Sequence, residues 1–404
     1  MNATKIKHEP VNAQPGISDP PREHLVLAAL AFTGADPAGC LEAVRALQAI
    51  VRAELAGKPA AADVETGELG FAAHHDDYRL RVTLAVSTSG YARLGAGADQ
   101  RPIDIHPIPA DVLDATGQGR GAEIAGEGDV LLHISSDDIF VAEHVLRRVE
   151  HELADRFTLV WAQTGVQRYN TRQAEKNGKN ARKESRALIG FLDGTANLTL
   201  SDPTDRALVF TDHTRTDYPP NPVSDQYQGA SMPADLRPPP VGPEPAYLDG
   251  GTYVAVEVLL INTRVFDASP VAAQEQIVGR TKQTGDPVPG APAVAHVLKA
   301  NPQRPGTDDA QRRILRRGYA LLRPRDAGLG RGLVFIAYGR SLTAQVEFIR
   351  RAWINNPNFP QAGTGQDALL FGGAVEPRLL VGGYYFVPPL THPHDAASWT
   401  LPGL

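Results

Sequence analysis

The stretch "GDVLLHISSDDIFVAEHVLRRVEHELA", residues 128–154, contains the pattern that decides the fold. A run of apolar residues leads through a Ser-Ser-Asp-Asp turn into a segment in which Val141, Val145 and Val149 recur every four residues. Residues four apart lie on one face of a helix. The stretch therefore predicts a buried strand followed at once by an amphipathic helix that covers a sheet.

The same strand-and-helix layout returns in the second half as "GLVFIAYGRSLTAQVEFIRRAW", residues 332–353. Near the start of the chain, residues 24–32 are typical of a buried strand and residues 36–57 of a helix. Asp36 is suited to capping this helix, and Pro37 then stands at its first position, where a missing backbone N–H costs nothing. A repeated unit of strands and helices is thus indicated.

The remaining predicted elements are strands at 78–87, 157–169, 251–262 and 378–389 and a helix at 269–285. In outline each half has the order β-α-β-β-α-β, which is the ferredoxin-like plan. The predicted fold class is α+β, with two ferredoxin-like domains whose antiparallel sheets form a barrel-like pair covered by helices.

The chain of 404 residues is long enough for two domains. A basic, polar loop at 171–185 separates the halves, and proline density marks a surface insertion at 218–247. We therefore expect a tail at 1–24, an N-terminal ferredoxin-like domain at 25–185 and a C-terminal one at 186–404.

Composition limits the classes of partner and compartment. The formal net charge of −6 and the 21% of charged residues give no reason to expect binding to nucleic acid or to an anionic membrane. The single cysteine, Cys40, excludes an internal disulfide and a zinc site built on paired cysteines. No run reaches the ~18 apolar residues of a membrane span, and residues 1–24 contain no secretion signal. The expected location is the cytoplasm.

Several residues that could carry chemistry are more typical of structural roles. Histidines occur at metal-ligand spacing in "HHDDY" (74–78) and "THPH" (391–394), but neither has a second ligand cluster beside it, so solvated loops are the better interpretation. Trp161 and Trp353 fall in a predicted strand and helix, where an aromatic side chain usually belongs to the core.

A second group of segments is more informative together than apart. "GFLDGTANL" (190–198) contains an Asp-Gly turn, "AVAHVLKANPQ" (293–303) places His296 among apolar residues, and "RRILRRGY" (312–319) has four arginines around Ile314 and Leu315. Alone, these would be a plain turn, a satisfied core histidine and a solvated helix face.

Their order and spacing resemble the dye-decolourising peroxidases. The segments that carry the resemblance are "GDVLLHISSDD", "GFLDGTAN", "GGTYVAVEVL", "IVGRTKQTGDP", "AHVLKANPQ", "RILRRGY", "GLVFIAYGRS" and "NFPQAGTGQDALLFG". They cover the chain from about residue 25 onward, and such a series in order is specific although each piece alone is weak. The resemblance implies one haem b in the C-terminal half, with hydrogen peroxide and an aromatic or dye reductant as substrates. It leaves the oligomeric state open, with a homo-oligomer among the options.

Site residues follow from the resemblance position by position. Asp193 would be the distal acid/base, His296 the proximal iron ligand and Arg316 the distal arginine, with Asp367 as the partner of His296. The other residues expected around the haem are Gly194, Thr195, Ala196, Asn301, Gln303, Leu333 and Phe335. The family commonly has an arginine at the position of Gln303 and a glutamine at the position of Gly339.

Peroxide chemistry explains why these residue types would be required. Cleavage of the O–O bond needs one group that accepts and then returns a proton, which Asp193 can do. A permanently charged Arg316 would stabilise the negative charge that grows on the departing oxygen. An aspartate in this role predicts an acidic pH optimum. Surface tyrosines or tryptophans could pass electrons from bulky donors, with Tyr319 and Tyr338 near the site in sequence.

Two other functions compete with the peroxidase. A haem-handling protein, such as a haem carrier or a deferrochelatase-like protein, would use the same pocket and show only incidental peroxidase activity. A chlorite dismutase-like protein shares the ferredoxin-like plan, but its chemistry does not call for an aspartate in the position of Asp193.

Overall fold

The computed structural model describes residues 12–57, 78–109, 126–167, 186–215, 218–219, 233, 236–322 and 331–404. These residues form eight strands: β1 (His24–Phe32), β2 (Arg81–Val86), β3 (Val130–Ser136), β4 (Phe157–Val166), β5 (Thr252–Asn262), β6 (Leu315–Leu322), β7 (Arg331–Gly339) and β8 (Glu376–Val387). All the strand pairs are antiparallel.

The strands close into one barrel with the order β1-β3-β2-β8-β5-β7-β6-β4. Each half contributes a four-stranded sheet in ferredoxin-like order, β4-β1-β3-β2 and β6-β7-β5-β8. The sheets join where Val86 pairs with Phe386 and where Val166 pairs with Ala320. The predicted fold class, with its barrel-like pair of sheets, is confirmed.

The helices are α1 (Pro15–Ser18), α2 (Pro37–Leu55), α3 (Thr88–Arg93), α4 (Ile139–Glu152), α5 (Pro203–Arg206), α6 (Arg264–Ala268), α7 (Val271–Val278), α8 (His296–Ala300) and α9 (Ala368–Phe371). A wider, π-type helix runs through Leu342–Glu347 and Ile349–Ile354, and short 3-10 turns lie at Ala98–Gln100, Ala246–Leu248 and Asp309–Arg312. Helix α2 begins as the sequence predicts, because Asp36 Oδ1 accepts a hydrogen bond of 2.9 Å from the backbone N–H of Gly39. None of these helices is both long and apolar enough to cross a membrane.

Two local predictions are wrong. The helix expected at 269–285 ends at Val278, because Gly279 takes a left-handed conformation with φ of 87°. The arginine run at 312–319 is not a helix face but forms the end of a 3-10 turn and the start of β6.

Alternation along β6 separates the barrel interior from the outer face of the sheet. Leu315, Arg317 and Tyr319 are buried inside the barrel, whereas Arg316 and Gly318 between them are only partly buried on the outer face. The outer face of β6 and β7 is therefore the surface on which a site can be built.

The aromatic residues singled out from the sequence lie in the interior. Trp161 and Trp353 are 9% and 1% exposed, which confirms that they are core residues. Tyr319 and Tyr338 are each 1% exposed, and both belong to the cluster that fills the barrel. These two tyrosines are therefore not surface residues, and electron transfer through surface aromatic side chains stays a prediction.

Candidate active site

The turn that carries Asp193 is anchored at both ends. Phe191 on one side and Leu198 on the other are buried in two different apolar clusters. Between them, Gly194 adopts φ of 72°, a conformation that glycine takes without steric cost. Its backbone N–H donates a 2.6 Å hydrogen bond to Asp193 Oδ1. The turn thus presents the carboxylate of Asp193 with one oxygen held and the other free to point across the sheet.

The second oxygen of Asp193 lies over β6. A Cβ atom built on Gly318 would be 3.7 Å from Asp193 Oδ2 and 3.3 Å from Leu333 Cδ1. Gly318 is two residues from Arg316 on the same face, and it pairs with Phe335 on β7. The structure therefore brings together Asp193, Arg316, Leu333 and Phe335 at one place on the outer face of the barrel.

The guanidinium of Arg316 makes no hydrogen bond or ion pair with any residue that the structure describes. An arginine left without a protein partner beside a carboxylate is suited to contact a bound ligand. Its backbone, in contrast, is held firmly by Asn197, whose Nδ2 donates to Arg316 O at 2.8 Å and whose Oδ1 accepts from Arg316 N at 2.9 Å.

Asn197 was not among the residues selected from the sequence. It occurs in the quoted stretch "GFLDGTANL", four residues after Asp193, so its position was visible but its role was not. Asparagine is common after tight turns, and only the tertiary structure shows that its side chain reaches a strand 119 residues away.

His296 is the first residue of α8, and its ring is oriented by a buried acid. His296 Nδ1 lies 2.8 Å from Asp367 Oδ2, and the side chain of Asp367 is fully buried. The other oxygen, Asp367 Oδ1, accepts from the backbone N–H groups of Leu369 and Leu370 at the start of α9. A carboxylate on Nδ1 sets the tautomer in which Nε2 can bind a metal. The pairing of these residues agrees with the sequence-based expectation for Asp367.

The segment 279–288 connects the histidine side of the site with the aspartate side. A Cβ on Gly279 would be 2.8 Å from Val297 Cγ2, and one on Gly285 would be 2.9 Å from Thr195 Cγ2. Burial, with a smaller effect from the positive charge of Arg316, lowers the pKa of Arg280, the second residue of this segment. Through this segment the start of α8, where His296 stands, is linked to the turn that carries Asp193, although more than 100 residues separate His296 from Asp193 along the chain.

The residues around this region fit a haem. His296 Nε2 has no hydrogen-bond partner in the part of the chain that the structure describes, and a Cβ on Gly194 would meet no atom within 4 Å. A haem site with one protein ligand to iron requires a free imidazole nitrogen and space for the porphyrin. His296 Nε2 and the open space beside Gly194 meet these two requirements, and the unpaired guanidinium of Arg316 is available to a ligand.

For the other residues expected around the haem, the structure gives burial and backbone conformation but fewer contacts with the site. Thr195 is exposed and Ala196 is partly buried in the turn after Asp193. Asn301 ends α8, whereas Gln303 is exposed and adopts φ of 51°. No described contact joins Gln303 to the residues above, so its part in haem binding stays a prediction.

Two other features are weaker candidates for a site. Asp212, His213 and Asp249 form a cluster at metal-ligand distances near the surface, but His213 Nδ1 already lies 2.5 Å from Asp249 Oδ2. A cavity of about 500 Å³ is lined by Asp19, Glu54 and Arg81 among others, and each of these three is engaged in an ion pair. The histidines of "THPH" do not belong to the cluster of Asp212, His213 and Asp249. Those of "HHDDY" lie at 74–75, outside the described residues.

Comparison with known families gives the family to which the chain belongs. The model for the C-terminal part of Dyp-type peroxidases matches residues 184–392, and the model for the N-terminal part matches residues 14–167. The chain belongs to the Dyp-type peroxidase family.

The chain is also similar to individual proteins in sequence and to solved structures in fold. The chain is similar to the deferrochelatase of Escherichia coli strain K12, with 27% identity over 286 residues, 65% of this chain and 58% of that protein. It thus spans less than two thirds of the length of this curated relative. The crystal structure of a DyP-type peroxidase from Streptomyces coelicolor superposes with a TM-score of 0.66 at 22% identity, covering 93% of this chain and 91% of that one. An oxyferrous complex of DtpA from Streptomyces lividans superposes with a TM-score of 0.66 at 21% identity, covering 94% of this chain and 92% of that one.

Proposed function

We propose that this Dyp-type protein is a haem b peroxidase that reduces hydrogen peroxide and oxidises dyes, phenols or other one-electron donors. The observation that carries the proposal is that Asp367 occupies His296 Nδ1 at 2.8 Å, while the segment 279–288 lies against both Val297, next to His296, and the turn that holds Asp193 over β6. A binding site alone would not call for a carboxylate and an unpaired guanidinium in addition to the histidine.

His296 would hold the haem through Nε2, because its other nitrogen is engaged by Asp367. The buried carboxylate raises the basicity of the imidazole and keeps its plane from rotating. When bound, the haem supplies the redox chemistry by which peroxide gains two electrons and the donors lose one each. Gly194 and its neighbours would leave space for the edge of the porphyrin, since no atom occupies the direction of a Cβ there.

Asp193 would move the proton that the cleavage of peroxide requires. Its Oδ1 is held by the backbone of Gly194, so Oδ2, near Gly318, is the oxygen that would take a proton from peroxide and return it to the leaving oxygen as water forms. General acid–base help of this kind contributes about 10²–10⁴-fold.

Arg316 would stabilise the leaving oxygen while Asp193 moves the proton. Its guanidinium is a planar group with five N–H donors, and its backbone is fixed by Asn197. One such donor in a site that excludes water contributes roughly 3 kcal/mol to the stability of the transition state.

The test is the change in Soret absorption after mixing haem-loaded protein with stoichiometric peroxide. We expect Asp193→Asn and Arg316→Leu to slow this change by at least about 10²-fold, while each still binds haem. Asp202→Asn is the matched control, because Asp202 also ends a turn but caps α5 at the backbone of Thr204. If both site variants react as fast as the parent protein, the proposed roles are wrong.

A haem-handling protein is the second candidate, and the similarity to a protein named deferrochelatase favours it. The two functions differ in the fate of the haem. Incubation with haem and a reductant, followed by measurement of released iron and metal-free porphyrin, would support haem handling, whereas intact haem and rapid consumption of peroxide would support the peroxidase.

A further inference from the structure

Asn197 joins the two polar residues of the distal side through the backbone. Its side-chain amide makes two hydrogen bonds to one residue, donating to Arg316 O at 2.8 Å and accepting from Arg316 N at 2.9 Å. Its own backbone N–H donates to Gly194 O at 3.2 Å, within the turn that presents Asp193. One residue is thus bonded both to the turn and to β6.

The strand geometry explains why the backbone of Arg316 is available. The N–H and C=O of one residue in an antiparallel strand point toward the same side. On the side away from β7, strand β6 pairs with β4 at Ala320 and Val166, four residues from Arg316. At Arg316 the amide of Asn197 therefore takes the place that a neighbouring strand would otherwise fill.

The apolar anchors of the turn cannot do what these bonds do. Phe191 and Leu198 hold the ends of the turn by burial, which stabilises without a preferred direction. Hydrogen bonds are directional, and two of them to a single residue set where the turn lies along β6. The distance between the carboxylate of Asp193 and the side chain of Arg316 then depends on Asn197.

We propose that Asn197 is a positioning residue that sets the register of the Asp193 turn along β6 and so places Asp193 relative to Arg316. The expected effect on rate rests on the proposed peroxidase function. The two hydrogen bonds between the Asn197 side chain and the Arg316 backbone, called the clamp below, are a property of the protein alone. Asn197 does not touch the peroxide or the haem in this role.

Hydrogen exchange of the Arg316 amide tests the clamp without any activity. We expect this amide to exchange at least about 10-fold faster in Asn197→Ala, because its acceptor is removed. Asn197→Asp keeps an acceptor for Arg316 N but cannot donate to Arg316 O, so its protection should be intermediate. Asn262→Ala is the matched control, since Asn262 accepts from the backbone of Arg264 at the exposed end of β5.

Peroxide kinetics test the positioning role. A misplaced group costs up to about 10²-fold, so we expect the second-order rate constant with peroxide to fall about 10- to 100-fold in Asn197→Ala. The pH profile should also shift, because the environment of Asp193 changes, while haem content and the KM for the donor stay at parent values.

Unchanged hydrogen exchange of the Arg316 amide would overturn the clamp. Faster exchange with an unchanged rate constant and pH profile would overturn the positioning role. A parent protein that binds haem but does not react with peroxide would instead overturn the proposed function, and the exchange data would still decide whether the clamp exists.

Discussion

Asp367 and His296 form a hydrogen-bonded pair in which Oδ2 of the fully buried carboxylate lies 2.8 Å from Nδ1 of the imidazole. The same carboxylate caps α9 through its other oxygen, which accepts from Leu369 and Leu370. Asp367 is therefore held by the backbone while it holds the histidine, and the orientation of the ring is decided before any ligand binds.

Replacement of this carboxylate by an amide tests its effect on the histidine. In Asp367→Asn we expect the cap on α9 to persist, because an amide oxygen can still accept. The imidazole, however, loses a negative partner and becomes a weaker ligand. The reduction potential of bound haem should rise, and haem affinity or activity should fall by about 10- to 100-fold. Spectroelectrochemical titration measures the potential, with Asp202→Asn as a capping aspartate that contacts no histidine. An unchanged potential would contradict this role of Asp367.

A buried histidine in the barrel predicts loss of stability in acid. His133 Nδ1 is hydrogen-bonded to the hydroxyl of Tyr338 at 3.0 Å. Burial, with a smaller effect from the positive charge of Arg317, lowers the pKa of His133 to about 3. Between pH 6.5 and 3 the unfolded chain binds a proton here that the folded chain does not, so the contribution of His133 to folding stability falls as pH falls, by about 1.4 kcal/mol per pH unit.

Denaturant unfolding at pH 7 and pH 5 measures this dependence. His133→Gln should have a shallower loss of stability between the two values than the parent protein, because it lacks the titrating group. His151→Gln, at an exposed position in the last turn of α4, should behave as the parent does. Parallel loss of stability in His133→Gln and the parent would show that another group controls acid unfolding.

A buried glutamate predicts the opposite dependence on pH. Burial raises the pKa of Glu244 to about 7, although the hydroxyl of Tyr253 donates to it at 2.6 Å. The folded chain then binds a proton between pH 4.5 and 7 that the unfolded chain has released, so the contribution of Glu244 to folding stability falls as pH rises through this window. The free energy of unfolding of Glu244→Gln, relative to that of the parent, should increase by about 2–3 kcal/mol between pH 4.5 and pH 8.

The comparison with the Glu244 variant uses the change with pH rather than the stability at one pH, because glutamine also alters the hydrogen bond from Ile103 N at 3.2 Å. Thermal or denaturant unfolding at both values supplies the data. A constant difference between Glu244→Gln and the parent across this range would mean that Glu244 is not the titrating group.

One glutamine at the junction between β2 and β8 is expected to contribute strongly to folding stability. Gln14 is fully buried, and its amide donates to Leu84 O and Pro388 O and accepts from Leu84 N. Its removal leaves three buried backbone groups without a partner, so Gln14→Ala should lower the free energy of unfolding by about 2–4 kcal/mol. Gln163→Ala is the control, because Gln163 is partly exposed and bonds only to the next residue. Equal stability of the two variants would contradict a role for Gln14 at the junction.

Local patterns in the sequence were sufficient for most elements, whereas the predicted residues of the site came from the resemblance to a family. The capped start of α2, the strand and helix of 128–154 and the turn at Asp193 all depend on near neighbours along the chain, which propensity and periodicity describe well. The end of α7 was missed, because a single left-handed glycine terminates a pattern that otherwise continues. The domain boundaries and the roles of Asp193, His296 and Arg316 stay predictions.

By itself, the sequence determined the fold class, the membership of the Dyp-type peroxidase family and the three residues worth testing. Only the tertiary structure decided that Arg316 faces the outer site while Arg317 faces the barrel interior, and that Asn197 reaches across 119 residues to hold Arg316. The physical reason is that the side of a strand that becomes buried, and the edge that meets a distant side chain, are set by long-range packing and register. A shift of one residue in β6 would exchange the two arginines without changing any local propensity.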